Sequence, residues 1–523
     1  MHQSEIAIAM TDPSFYSFPP PKVELIQTHI SWIFIAGEEV FKVKKAVNFG
    51  FLDFTTLEKR KFYCEEEVRL NRRLAPQVYL GVVAISRNRE GKIVLGTGET
   101  VIEYAVHMRK IPAEKMLKTL LKNPDFDQST IAAVAGKLAR FHQEADTGGK
   151  IDEMGRIGTI RFNHEENFAQ TVPFIGVTLS TSSHAFIRDW ARRFMTDQEE
   201  LFHKRVREHR IRDCHGDLHL EHIVINDDDI IIFDCIEFNE RFRFGDVAAE
   251  VAFLAMDLDF NGYAALSDLF VQSYTECSGD SEIPALIDFY KCYYAFVRGK
   301  VTGFQLNDPH LSAKVRQDVT QTASRYFDLA LSCAARFAKP TLIIMSGLMG
   351  SGKSVVAREL SRLTGALTIK MDVIRKELLE IPVTEHRLDD FGQGIYSDDI
   401  TGHVYGKALE KAASILGLGK SVIIDASYKK KEHRLAARDL AADLKADFFI
   451  VECVCPDSCA RSRLETRMKV LGEASDGRPQ IYDAQQKDFD AVVEFPPSVH
   501  LKLDTDGHIK DTVDMALRYI KRL

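Results

Sequence analysis

The chain has 523 residues, 45% of them hydrophobic and 28% charged, with 31 Gly and 16 Pro; at roughly 150 residues per domain this implies several folded domains and excludes collagen-like or disordered classes. With 68 basic and 76 acidic residues the net charge is −8, so no global attraction to nucleic acid or to an anionic membrane is built in. The nine cysteines are an odd number scattered along the chain, unlike a secreted disulfide framework, which points to a reducing cytoplasm; no run of about 18 apolar residues predicts a membrane span, and the N-terminus lacks the basic start and apolar core of a signal peptide.

Residues 23–110 mix short β-rich runs (SWIFIAG, EEVFKVKK, VYLGVVAI, KIVLG, TVIEYAVHM) with one charged helical stretch beginning near Thr55, which predicts a small sheet carrying one helix. Lys42 and Lys44 alternate onto one face of their strand, so either is placed to grip a phosphate. The helix opens with Thr55 and Glu58, spaced as a capping box, and carries Glu65, Glu66 and Glu67; Glu67 is the expected ion-pair partner of the chosen lysine. TVIEYAVHM is expected to run into a hinge where the backbone from Glu103 to Val106 meets an adenine. No GxGxxG precedes the lysine strand, which leaves Thr28 to Ser31 as the segment to cover phosphates.

From residue 111 to 338 the pattern is mainly helical, with one β-rich patch at 222–236. There RDCHGDLHLEHIVINDDDIIIFDCIEF, Arg212 to Phe238, lays out a loop with an aspartate, a short strand, an NDDD turn and a second strand ending in another aspartate, the kinase catalytic-loop arrangement. Phosphoryl transfer needs one carboxylate at the acceptor hydroxyl and others to hold the metal bridging the phosphates; Asp217 fits the first task and Asp234 the second. Position 222 is His where such loops place Asn. An Asn carbonyl is a hard oxygen suited to Mg²⁺, whereas imidazole prefers transition metals. His222 therefore reads as a ligand for Mn²⁺ or Zn²⁺, as a hydrogen-bond partner of a phosphate, or as the mark of a domain that binds nucleotide without turning it over. His215, His219 and His222 lack the HExxH spacing, which argues against a zinc-enzyme site. Asp246 reads first as a helix N-cap.

Residues 23 to about 338 resemble the aminoglycoside-phosphotransferase-like branch of kinase-fold enzymes, in particular the bacterial group that joins such a domain to a P-loop kinase; FGFLDFTTLEKR and LNRRLAPQVYLGVV look like signatures of that group.

At Lys339-Pro340 the pattern becomes buried-strand runs (TLIIMSG, SVIIDAS, DFFIVECV) alternating with amphipathic helices, which predicts a parallel sheet. GLMGSGKS follows the first strand and opens a helix, matching GxxxxGK[ST] in the context it requires. Gly347, Gly350, Ser351 and Gly352 let backbone N–H groups turn onto a polyphosphate at a helix N-terminus; Lys353 reaches the terminal phosphates and Ser354 ligates Mg²⁺. Asp372 and Arg375, three apart, share a helical face, placed to orient an acceptor hydroxyl and to hold a substrate anion. Asp425 ends a buried strand as a metal-holding carboxylate, or else caps the next helix. RSRLETR puts Arg463 and Arg467 on one face, ahead of SDGRPQIY. Residues 340–523 resemble small P-loop kinases with a DxxR element, such as polynucleotide 5′-hydroxyl kinases, zeta-toxin-like and gluconate-kinase-like enzymes. The resemblance implies Asp372 as base or substrate anchor and Arg463 and Arg467 as a lid over the transferring phosphate; ordinary surface salt links with Glu465 or Asp457 are the alternative. Lys429 to Lys431 read as a solvated helix start, with a nucleic-acid acceptor as the less favoured reading.

The expectation is thus an α+β bilobal kinase-like domain over 1–338 (small lobe about 23–110, large lobe about 111–338) followed by an α/β P-loop domain over 339–523. Such a protein uses ATP with Mg²⁺, or Mn²⁺ at the first site, to phosphorylate hydroxyls of acceptors the sequence does not name, small molecules or nucleic-acid ends. The alternatives are an inactive first domain that regulates the second, and a nucleotide-switched binding protein.

Overall fold

The structure is a computed structural model that describes residues 2–226, 229–382, 385, 392–467 and 477–523. The chain forms two compact units, Met1–Glu166 with Met195–Tyr294, and Asn167–Phe194 with Ala295–Leu523.

In the first unit six strands form an antiparallel sheet: β1 (Val23–Gln27), β2 (Ser31–Ala36), β3 (Glu39–Lys44), β4 (Tyr79–Arg87), β5 (Ile93–Leu95) and β6 (Thr100–Arg109), in the order β1-β2-β3-β6-β4-β5. Their β-branched and aromatic residues favour the pleated surface, and Phe34, Phe41, Val43 and Ile85 make one apolar cluster with Ile6 and Met10. Those last two come from a helix, His2–Thr11, that the sequence reading did not anticipate. The other face takes helix Leu57–Asn71, whose Cys64 and Val68 pack with Tyr79 and Val106. The helix cap is Thr56, whose hydroxyl accepts the Lys59 amide at 3.2 Å; Thr55, expected there, instead bonds Asp53 through its amide and hydroxyl.

Two short antiparallel pairs follow. β8 (Ile223–Asn226) joins β9 (Asp229–Ile232), with residues 227 and 228 of the NDDD turn outside the described residues, and β7 (Ile211–Asp213) joins β10 (Phe244–Asp246). Helix Val247–Phe260 is buried almost throughout. Asp246 is its N-cap, accepting the Ala248 amide at 2.8 Å, while Arg205 bonds the same carboxylate at 2.6 Å.

The second unit carries a parallel sheet of β11 (Thr341–Ser346), β12 (Leu367–Lys370), β13 (Val422–Asp425), β14 (Asp447–Val454) and β15 (His500–Asp504), in the order β12-β13-β11-β14-β15. β11, the strand that feeds the glycine loop, lies at the centre and is buried along its whole length. Helix Ala313–Ala335 packs on helix Lys353–Thr364. This is why the compact unit begins before residue 339, where the strand–helix alternation starts. Among the described residues no helix is long and apolar enough to cross a membrane.

Candidate functional site

In the first unit the strand register carries the first functional group. Ile33 pairs with Lys42 and Ser31 with Lys44 across β2 and β3, so both lysines face helix Leu57–Asn71. Their surroundings differ. Lys42 Nζ lies 2.8 Å from Glu67 Oε1 and 2.9 Å from Asp234 Oδ1, and Asp234 is 41% exposed at its side chain. Lys44 is 1% exposed; its ammonium sits 2.6 Å from Glu67 Oε2 and is paired with Glu237 as well. Glu67 therefore holds two cations at once, and only Lys42 reaches the carboxylate that opens to solvent. Burial opposes every charge here, but the pairs prevail: Asp234 and Glu67 raise the Lys42 ammonium, while Lys42, followed by His222, holds the Asp234 carboxyl far below the usual carboxylate range. Glu237 goes the other way, raised by burial more than Lys44 lowers it.

Asp234 has φ +63°, a left-handed backbone uncommon for a residue other than glycine; its amide donates to Tyr79 Oη at 3.2 Å and the next amide, of Cys235, to Asn71 Oδ1 at 2.8 Å. The loop of Asp217 is fixed from behind. Glu250 accepts the amides of His215 at 2.9 Å and Gly216 at 2.6 Å, and is itself bonded by His142 Nε2 at 2.8 Å. A Cβ at Gly216, whose φ is +88°, would lie 2.8 Å from the Phe242 carbonyl, so only glycine fits. His215 donates Nε2–H to the Phe233 carbonyl at 2.8 Å, and burial lowers its pKa to about 4, which keeps the ring neutral. His222 lies between the two aspartates: Nδ1 is 3.7 Å from Asp217 Oδ2 and Nε2 is 3.6 Å from Asp234 Oδ2.

The structure thus gathers Lys42, Lys44, Glu67, Asp217, His222 and Asp234 in one place. Glu103 does not belong with them. It is fully buried against Arg60 at 2.9 Å, and the backbone from Glu103 to Val106 is laddered to β4, with Ala105 and Val106 also laddered to β3, which leaves no free edge for an adenine; the chain leaves the sheet only after Arg109. Glu237, Glu250 and Asp257 were missed by sequence reasoning. The signal was present, since Glu250 and Asp257 fall within the buried, mainly apolar run of helix VAAEVAFLAMDLDF, where a buried carboxylate needs donors.

In the second unit the loop between β11 and helix Lys353–Thr364 has left-handed glycines, with φ +129° at Gly347, +76° at Gly350 and +85° at Gly352. A Cβ at Gly347 would lie 2.3 Å from the Cys453 carbonyl and one at Gly350 2.5 Å from that of Ala460. Lys353 Nζ donates to the Leu348 carbonyl at 2.7 Å; burial lowers its pKa, and Asp425 is the strongest charge opposing that, with Arg467 and Asp372 also acting on it. The loop fits a polyphosphate. Ser351 Oγ is buried without a hydrogen-bond partner among the described residues, the close-packed loop excludes side chains at its glycines, and the Ser354 hydroxyl and Asp425 carboxylate are hard oxygen donors of the kind Mg²⁺ takes. Asp425 is no helix cap, because the next helix is capped five residues on, at Lys430.

Arg375, on the same helix as Asp372, donates to the Ile395 carbonyl at 2.7 Å and to Thr401 Oγ1 at 3.2 Å, and its buried Nε has no hydrogen-bond partner among the described residues. Arg463 departs from expectation. Its guanidinium bonds the Thr505 carbonyl at 2.7 Å and Thr505 Oγ1 at 3.2 Å, and Thr505 Oγ1 in turn bonds the Ser351 carbonyl at 2.8 Å. It props the glycine loop both through Thr505 and directly, its Nη1 donating to the Gly350 carbonyl at 3.5 Å, an arrangement unlike the expected lid. Arg467 ends helix Asp457–Arg467, and residues 468–476, including Ser475 and Asp476 of SDGRPQIY, lie outside the described residues. Lys429 and Lys430 are held by one carboxylate, Asp488, at 2.5 and 2.6 Å, which offsets part of the charge of the short basic run.

The two halves thus define a class: a kinase-like α+β half joined to a P-loop α/β half. The model of the AAA domain family matches residues 342–492. The uncharacterized protein Rv2004c of Mycobacterium tuberculosis is 32% identical over 472 residues, 90% of this chain and 91% of that one, and a Mycobacterium bovis protein matches equally. The chain belongs to the family of these mycobacterial proteins. Among solved structures, a gluconokinase from Sinorhizobium meliloti is similar with TM-score 0.26 and 20% identity, over 35% of this chain and 93% of that one. An APS kinase from Mycobacterium tuberculosis is similar with TM-score 0.25 and 21% identity, over 35% and 98%. A choline/ethanolamine kinase family protein from Mesorhizobium loti is similar with TM-score 0.36 and 13% identity, over 63% and 99%.

Proposed function

We propose that the chain is an ATP-dependent phosphotransferase with two nucleotide sites, one in a domain over residues 1–338 and one in a domain over 339–523, each transferring the γ-phosphate to a hydroxyl of its acceptor. The observation that carries this reading is Lys42, whose ammonium lies within 2.9 Å of both Glu67 and Asp234, because a P-loop alone accounts for one site only. ATP with its divalent ion supplies the phosphoryl group and the charge that spreads over it during transfer.

The chain's own residues do the rest. Lys42, oriented by Glu67, binds a phosphate oxygen; Lys44, buried between two carboxylates, is structural. Asp217 accepts the acceptor's hydroxyl proton, on a loop whose position Glu250 sets. Asp234 and His222 face the ion. In the second domain the loop amides and Lys353 hold the β- and γ-phosphates, Ser354 and Asp425 hold Mg²⁺, Asp372 orients the acceptor hydroxyl, and Arg375 and Arg467 place anionic groups. Catalysis is then positioning and charge neutralisation. Free thiols at all nine cysteines agree with a cytoplasmic protein, and the Asp488 pairs of Lys429 and Lys430 favour small-molecule acceptors over nucleic-acid ends.

A second reading, favoured by His222 alone, makes the first domain a regulator of the second. Transfer of labelled γ-phosphate to compounds of a cell extract separates the two. The two-site reading expects Asp217→Asn and Lys353→Ala each to abolish a different labelled product; a product set unchanged by Asp217→Asn supports regulation.

A further inference from the structure

His222 raises a question that the kinase-like arrangement around it does not answer: which ion it faces. Three side chains, Asp217, His219 and His222, offer ligand atoms within 4.8 Å of one another and look at first like a three-ligand metal site. The hydrogen bonds rule that out. His219 Nδ1 accepts the Glu221 amide at 3.3 Å, so a neutral ring carries its proton on Nε2, the atom 3.6 Å from Asp217 Oδ2, and has no lone pair to give there. His222 is the reverse. Its Nδ1 donates to the Asp217 carbonyl oxygen at 2.8 Å, which places the lone pair of the neutral ring on Nε2. That atom faces Asp234 Oδ2 across 3.6 Å, while Lys42 occupies the other oxygen of the same carboxylate.

With Nδ1 spent on the Asp217 carbonyl, Nε2 is the ring atom that faces the Asp234 carboxylate oxygen, and the neutral tautomer presents a lone pair there. Two donors bound to one first-row metal ion at about 2.1 Å each stand roughly 3.0–3.5 Å apart, and the observed gap is within a small side-chain adjustment of that. The second cluster of ligand-type residues in this unit offers no such opening: His142 spends both nitrogens, on Tyr274 Oη at 2.7 Å and Glu250 at 2.8 Å, and Glu250 spends its oxygens on two backbone amides.

We propose that His222 Nε2 and Asp234 Oδ2 form a mixed nitrogen–oxygen site that takes a divalent ion accepting imidazole, of the Mn²⁺ to Zn²⁺ series, in preference to Mg²⁺. The inference rests on the reading of the first domain as nucleotide-binding, since two protein donors leave the remaining positions to phosphate oxygens and water. Mg²⁺ demands near-ideal octahedral oxygen coordination, and an imidazole in place of a carbonyl oxygen weakens it more than it weakens Mn²⁺. Binding of the ion and of the nucleotide to this half is therefore mutually dependent.

The test uses the full chain carrying Lys353→Ala, which removes the P-loop site, with Mn²⁺ and a non-hydrolysable ATP analogue. Pulsed electron paramagnetic resonance reads whether a nitrogen is bonded to Mn²⁺. The expected result is imidazole nitrogen coupling that survives His219→Asn and disappears in His222→Asn, together with displacement of Mn²⁺ by Mg²⁺ at about tenfold lower concentration in His222→Asn than in its parent. Bound analogue with no nitrogen coupling in the parent, or coupling that persists in His222→Asn, overturns the inference and leaves the nucleotide reading standing. If the parent binds no analogue at all, the nucleotide reading of the first domain fails, and the metal site with it. Because the decisive signal is read on the unaltered His222, a His222→Asn chain that folds poorly does not rescue the idea.

Discussion

Glu250 accepts the backbone amide of Gly216 at 2.6 Å, from a helix that is buried almost end to end. The carboxylate holds the loop one residue before Asp217, so it acts on position and touches no reacting atom. Glu250→Gln keeps an acceptor oxygen, whereas Glu250→Ala leaves two buried amides and His142 without one, at a cost of about 1.5–3 kcal/mol for a charged acceptor. The expected outcome is a kcat for the first domain's product about tenfold lower in Glu250→Ala than in Glu250→Gln, with KM for ATP unchanged in both. Equal rates in the two variants would count against a positioning role.

The two lysines of β3 should separate cleanly. Lys42→Ala abolishes nucleotide binding to the first domain with little change in thermal stability. Glu67→Ala strips the shared partner from two cations, one of them fully buried, and is expected to destabilise the fold by about 3–5 kcal/mol. Thermal melts and calorimetric binding on the same samples check both. Retained binding in Lys42→Ala would shift the phosphate-gripping role to Lys44.

Acid sensitivity has a defined direction. His164, stacked on Phe289 and packed at a tilt against Tyr293, and His215 are both held neutral by burial, with pKa values lowered to about 3 and about 4. Their unfolded values are about 6.5, so below that pH the unfolded state binds protons that the fold refuses, and stability falls as pH drops from 6.5 toward 4. For His215 alone the loss is about 3 kcal/mol. His164→Phe should flatten the fall of melting temperature across this window; an unchanged slope would show that His164 does not titrate this way.

In the glycine loop the two arginines should divide. Arg463 holds the loop through Thr505 and at the Gly350 carbonyl, so Arg463→Ala is expected to raise KM for ATP about tenfold by loosening the loop while kcat is kept. Arg467→Ala, if that side chain serves the transferring phosphate, lowers kcat instead. Steady-state kinetics on the second domain's product distinguish these, and the reverse pattern contradicts the assignment.

Much of this was legible in the sequence, and what escaped has physical causes. The glycine loop, Lys42, Glu67, Asp217 and Asp234 show themselves because local spacing and strand alternation fix where they point. Glu103 misled because alternation gives a face but not what covers it: Arg60, from a helix more than forty residues earlier, occupies that face. Arg463 misled for a similar reason, since helical spacing cannot tell that Thr505, at the end of the last strand, takes its guanidinium. Helix His2–Thr11 mixes polar and apolar residues without a clear stripe, and it is tied down by tertiary contacts of Ile6 and Met10 that no local pattern announces. The crossing between the compact units at Ala295 falls inside helix Ile283–Phe304, with no turn signal to mark it.

The central claim, two nucleotide sites in one chain, is tested most directly by the binding stoichiometry of a non-hydrolysable ATP analogue with divalent metal, measured by titration calorimetry on the intact chain and on Lys353→Ala. The account predicts two sites falling to one. A single site falling to none would contradict it, showing that the cluster of Lys42, Asp217, His222 and Asp234 binds no nucleotide and that the P-loop domain works alone.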